Sequence, residues 1–223
     1  MTKKLFFQAI TKVLFGMFFV GLFIFLPAGT LFFSRGWLLM ALLFCPMILV
    51  GAFMMCKCPE RLKKRLSAKE TQKEQSAVIK ASAVMFILGF FISGLDARFG
   101  WSNVSDAVVM IASFVFLLSY LLYAEVIREN KFLSRTIEVE ELQVVIDTGL
   151  YSVVRHPMYT ATVFLFLSMP LILGSLWAFF IFLFYPVIIA FRIKYEETFL
   201  EEHLGGYKEY KKKVRYRLIP FIW

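Results

Sequence analysis

The feature that most constrains this chain is a series of long apolar runs with almost no charge inside them. A membrane-crossing helix needs about 20 mostly apolar residues to cover roughly 30 Å of hydrocarbon. Four such runs stand out, at 13–33, 37–55, 77–95 and 104–124. Two shorter ones, 158–173 and 176–191, would each reach about 24 Å as helix and are separated only by Gly174 and Ser175, so they read as one tight helical hairpin. Backbone polar groups in lipid must be satisfied within their own segment, which leaves a helix as the form for each run. The sequence therefore predicts an all-α, multi-pass transmembrane bundle of about six spans with both termini on one side.

Composition agrees. Of 223 residues 60% are apolar and 18% charged, against about 45–50% and about 25% for a soluble domain, so the apolar surplus exceeds what one core can hide. The net charge of +9 raises nucleic acid as a partner, and the positions of the charges argue against it. Of 25 Lys and Arg residues, 23 fall at the N-terminus or in the stretches 57–80, 128–155 and 192–217. Arg35 and Arg98 alone fall in the loops that six crossings would put outside. Basic residues near span ends are retained in the cytoplasm, so this asymmetry predicts cytoplasmic termini and contact with membrane lipids. No nucleic acid partner is expected.

The N-terminal run continues through Phe33, longer than a signal h-region, and reads as the first span. Cys45, Cys56 and Cys58 supply neither a disulfide framework nor the four ligands of a structural zinc site, and no metal site is expected. The stretch 57–80 alternates charge signs in the manner of an interfacial helix and reads as a topology anchor. No repeat or linker divides the chain. Two regions are nevertheless distinguished: 1–124, the N-terminal transmembrane helices, and 125–223, where the chemistry concentrates.

After residue 124 the chain runs polar for about thirty residues and then reads Asp147-Thr148-Gly149-Leu150-Tyr151-Ser152-Val153-Val154-Arg155-His156-Pro157-Met158-Tyr159. Pro157 suits the first turn of a helix, where its missing N–H costs nothing. Arg155 and His156 then stand at the positive end of the fifth span, a place that favours an anion. The sixth span returns to the same face and ends in Arg192, Tyr195, Glu196 and Glu197. The hairpin thus predicts that His156 and Glu196 meet, with Arg192 and Glu196 in one helical sector. Taken singly, each residue has a structural explanation as an anchor, a cap, an ion pair or a belt aromatic. As a cluster gathered by one hairpin they point to a site.

The run Gly149-Leu150-Tyr151, then Arg155-His156-Pro157-Met158-Tyr159, then Glu196-Glu197 after an apolar hairpin, resembles the isoprenylcysteine carboxyl methyltransferase family and its relatives among phospholipid methyltransferases. The flanking Glu129, Asn130, Phe132, Ser134, Arg135 and Thr136, and downstream Gly206, Tyr207, Tyr210, Val214 and Tyr216 to Pro220, look like bacterial members. The resemblance covers residues 129–223. It departs from the family pattern at Gln143 and in the spacing of Gly205-Gly206-Tyr207.

That resemblance implies an integral membrane enzyme of the inner membrane that uses S-adenosylmethionine without a Rossmann domain, and the chain indeed lacks a Gly-x-Gly-x-x-Gly fingerprint after a strand. It implies cofactor contacts from Thr136, Gln143, Val144, Val145, Ile146, Tyr151, Arg155, His156, Pro157, Met158, Tyr159 and Glu196. Arg192 would be the catalytic residue facing the methyl acceptor, a lipophilic small molecule, prenylated cysteine or lipid. The charge pattern suggests in addition that the cofactor carboxylate sits at the helix start near Arg155 and His156 and its ammonium at Glu196. Two other classes stay open at this point: a nicotinamide-dependent membrane reductase, and a non-catalytic scaffold or transporter component.

Overall fold

The computed structural model describes residues 3–67, 73–133, 139 and 143–223. The described residues form nine α-helices and no strand: α1 Lys3–Ala28, α2 Ser34–Lys57, α3 Pro59–Ser67, α4 Lys73–Phe99, α5 Asp106–Glu129, α6 Pro157–Leu173, α7 Leu176–Phe182, α8 Phe184–His203 and α9 Tyr207–Lys213. A 3-10 turn occupies Gly149–Ser152. Among the described residues five segments are long and apolar enough to cross a membrane: α1, α2, Ser76–Phe99, α5 and Leu176–His203. The sixth expected crossing, α6, has 17 residues and spans about 25 Å, so it is shorter than its neighbours.

Apolar side chains on every long helix divide between a core and an outer surface. Ile24, Leu39, Phe116, Phe182 and Ile193, from α1, α2, α5, α7 and α8, are fully buried in one extended core, whereas Phe15, Phe114 and Phe184 stand exposed. An exposed phenylalanine belt is costly in water and natural against lipid. Close approach of α4 to its neighbours depends on small residues, as is common between membrane helices. A Cβ on Gly94 would lie 2.4 Å from the Ile24 carbonyl, and one on Gly89 2.3 Å from the Phe182 ring.

The α6–α7 turn is closed by Gly174 at φ +80° and by Ser175, whose hydroxyl caps α7 by accepting the Ala178 N–H. It is tied to the end of α4 through Asp96, which accepts hydrogen bonds from Ser175 Oγ, Ser102 Oγ and the Ser102 N–H. Arg35 packs against Gly174 and bonds Asp106 and the Val104 carbonyl, while Arg98 lies against Gly29. Both outlying arginines therefore sit at the Gly174 end of the bundle. The sixth span breaks at Leu183, between α7 and α8. Pro186 accounts for the break, because its ring has no N–H for the Phe182 carbonyl and crowds that turn. Beyond it α8 continues as helix past the apolar run to His203, which carries Arg192 and Glu196 out of the bundle at the opposite end from Gly174.

A second, small core caps that end. Leu204, Tyr207, Tyr210 and Val214 are buried together, with Val139, Val145 and Leu200 packed on them.

Candidate active site

Between the end of the bundle and this small core lies an open cavity of about 860 Å³, mouth included. Its walls come from distant parts of the chain. Asn130, Phe132 and Leu133 follow α5, Gln143, Val144, Val145 and Ile146 form an extended lip, and Tyr151 comes from the 3-10 turn. Arg155, His156, Met158 and Tyr159 come from the start of α6, Arg192, Glu196 and Leu200 from α8, and Leu204, Tyr207 and Tyr210 from the cap. Pro157 is fully buried at the first position of α6 and shapes the wall without lining it. Thr136 lies outside the described residues.

Local chemistry explains how the lip is held. Asn130 closes the turn after α5 by accepting the Phe132 N–H and donates to the Tyr151 hydroxyl at 3.0 Å. The Glu129 carboxylate accepts from the Leu150 N–H and from Thr148 Oγ1. It lies so close to Gly149 that a Cβ there would fall 2.0 Å from Glu129 Oε1, and Gly149 holds φ +48°. Only glycine meets both demands without strain. Tyr210 completes the lip by donating to the Tyr151 carbonyl at 2.7 Å. Burial pushes the Tyr151 hydroxyl up to about 12 and raises that of Tyr210 well above its ordinary range, so both stay protonated.

Three polar residues form a continuous chain along one wall. Arg192 Nε donates to the Tyr159 hydroxyl at 2.7 Å, and that hydroxyl donates to Glu196 Oε2. Tyr159 therefore stands between the two groups that the i,i+4 spacing on α8 had brought into one sector. The His156 ring stacks on Tyr159. Its Nδ1 lies 4.0 Å from Glu196 Oε1, while its Nε2 is 3.3 Å from Glu197 Oε1.

Glu197 stands beside Glu196 in the sequence motif but is given no role there. It is 2% exposed and gathers four cationic or potentially cationic side chains: Arg155 Nε at 2.7 Å, Arg217 Nε at 3.2 Å, His156 Nε2 at 3.3 Å and Lys211 Nζ at 3.4 Å. One carboxylate thereby fastens the start of α6, helix α9 and the C-terminal segment to α8. Adjacent residues on a helix point about 100° apart, which is why Glu196 faces the cavity and Glu197 faces the protein.

Arg155 and the start of α6 differ from the sequence expectation. Besides Glu197, the Arg155 guanidinium binds the carbonyls of Val214 and Arg215. The backbone N–H groups of Arg155 and His156 donate to the carbonyls of Tyr216 and Arg217 at 2.9 Å each. Thr160 Oγ1 continues the seam by donating to the Leu218 carbonyl. These donors, read from sequence as a receptor for a ligand carboxylate, are engaged by the chain's own C-terminal segment. Among the described residues one buried side-chain polar atom has no partner, the Tyr207 hydroxyl in the cavity wall.

Fold and cavity together describe a multi-pass apolar helical bundle with a cavity at one end, walled by aromatic and apolar residues and carrying a few fixed charges. Residues 107–206, from the start of α5 to the turn before α9, match the sequence model of the phospholipid methyltransferase family. The family is one of membrane methyltransferases with lipid-type substrates, in line with the resemblance. No curated protein matches the chain.

Proposed function

We propose that this protein is an integral membrane methyltransferase that uses S-adenosylmethionine to methylate a lipophilic acceptor at the cytoplasmic membrane face. The observation that carries the reading is that one cavity draws lining residues from four segments distant in sequence, among them Asn130, Val145, Tyr151, His156, Tyr159 and Arg192, around a carboxylate, Glu196, with apolar and aromatic walls. Those features suit a cationic ligand with a flat heteroaromatic end: Glu196 for positive charge, and Val145, Ile146, Tyr151 and Met158 for the ring system. Cytoplasmic termini follow from the basic residues at the cavity end.

When bound, S-adenosylmethionine supplies a methyl group already activated by its sulfonium. The protein's tasks are then alignment and exclusion of water. Glu196, oriented by the Tyr159 hydroxyl, attracts the positive end of the ligand. Arg192, on the other side of Tyr159, faces and orients the acceptor. The Glu197 cluster keeps α9 and residues 214–218 closed over the site. Region 125–223 thus carries the site, and the helices of 1–124 embed it. Arg192 lies on a helix whose Phe184, Val187 and Phe191 are exposed, which supports an acceptor with an apolar tail that approaches along α8 from the bilayer.

Thermal-shift measurements on purified protein test the reading. Stabilisation by S-adenosylmethionine and S-adenosylhomocysteine, without a shift from NADPH, is expected. A shift with NADPH alone would favour a reductase, and no shift with any of the three a scaffold.

A further inference from the structure

The Tyr207 side chain raises a question that the cluster around Glu197 does not answer. Tyr207 is 4% exposed, lines the cavity, and its hydroxyl lacks a partner among the described residues. Buried polar groups are rarely left so without a use. Neighbouring donors are engaged: Tyr210 on the Tyr151 carbonyl, Asn130 on the Tyr151 hydroxyl, Tyr159 on Glu196, and Arg155 on Glu197 and two carbonyls.

We propose that the Tyr207 hydroxyl is a ligand-binding donor that receives the carboxylate of an amino-acid end on the bound small molecule, while Glu196 takes the ammonium beside it. The inference rests on the S-adenosylmethionine reading above and assigns a partner to one end of that ligand. An α-amino acid end carries opposite charges on neighbouring atoms, so it needs an anionic acceptor and a proton donor side by side. Glu196 and Tyr207 line the same cavity. The Arg155 and His156 N–H groups, the alternative receptor for the carboxylate, are taken by the carbonyls of Tyr216 and Arg217. Burial, reinforced by the nearby Glu197 and Glu196 carboxylates, pushes the Tyr207 hydroxyl up, so it is a donor throughout the neutral range.

The test compares the full chain in detergent with Tyr207→Phe, using calorimetry with S-adenosylhomocysteine and with its decarboxylated analogue, which keeps the amine. Tyr207→Phe is expected to weaken S-adenosylhomocysteine about tenfold or more, the scale of a hydrogen bond to a charged group, and to leave the analogue unchanged. The ligand-free variant is expected to melt no lower than the parent, because it loses a hydroxyl that had no partner. Unchanged binding of both ligands, equal loss of both, or a lower melting temperature from a broken internal bond would each overturn the assignment. If the parent chain binds neither ligand, the S-adenosylmethionine reading fails and this inference falls with it.

Discussion

Arg155 and Glu197, 42 positions apart, meet through a 2.7 Å hydrogen bond between side chains that are each 3% exposed. Removing one partner of a buried pair leaves an uncompensated charge, at a cost of about 3–5 kcal/mol. Arg155→Ala and Glu197→Ala are therefore expected to unfold at clearly lower temperature, and Arg155→Lys to recover only part of the loss because it drops the forked contacts to Val214 and Arg215. Thermal unfolding in detergent checks this. Unchanged melting of both alanine variants would mean that the cluster does not hold the cap in place.

Glu196 faces the cavity with 21% of its side chain exposed, so its neutralisation should cost little in folding. Glu196→Gln is expected to weaken S-adenosylmethionine by at least about tenfold, as the loss of a charge-assisted contact does, while the protein stays monodisperse. Calorimetry beside size-exclusion chromatography separates the two effects, and unchanged affinity would remove Glu196 from the site.

Arg192→Ala is expected to reduce turnover more than cofactor affinity, because its proposed task is to orient the acceptor. Tyr159→Phe removes the hydroxyl that joins Arg192 to Glu196 and should lower both. Single-turnover rates and binding constants measured on the same preparations distinguish these patterns. An equal fall of rate and affinity in Arg192→Ala would point to a structural ion pair.

Gly149→Ala forces a side chain into a positive-φ position against the Glu129 carboxylate. A cost of about 1–2 kcal/mol from backbone conformation alone, increased by the displacement of Glu129, should appear as lower stability and looser cofactor binding through the shifted lip. A variant that melts and binds like the parent would show that the lip tolerates the change.

Alkaline pH tests the buried tyrosines. Tyr151 is pushed to about 12 in the folded chain, against about 10 when unfolded. Between those values the unfolded state has released a proton that the folded state keeps, so stability falls as pH rises from about 10 towards 12; below about 10 this group contributes no slope. Melting temperatures recorded against pH should decline less steeply in Tyr151→Phe than in the parent. Parallel curves would contradict the burial of that hydroxyl.

Hydropathy made the spans legible because lipid exposure is written directly in residue type. It placed the starts of α1 and α4 and the end of α8 too far inside, since these helices continue past the apolar runs through Lys3 to Lys12, Lys73 to Ser76 and Arg192 to His203, and it carried the first span to Phe33 although α1 ends at Ala28. The gathering of His156, Tyr159, Arg192 and Glu196 followed from the hairpin alone. The role of Arg155 did not, because its partners at 214 and 215 are about sixty positions away and leave no local pattern. Likewise Glu196 and Glu197 are the same residue type in the same polar stretch. What separates them, one turned to the cavity and the other to the interior, is the packing of α9 and the C-terminal segment against α8.

Equilibrium binding of radiolabelled S-adenosylmethionine to the purified chain tests the central claim most directly. The account predicts saturable binding of one molecule per chain, displaced by S-adenosylhomocysteine and lost in Glu196→Gln. A folded, monodisperse protein that binds none, or binds equally well without the Glu196 carboxylate, would contradict it.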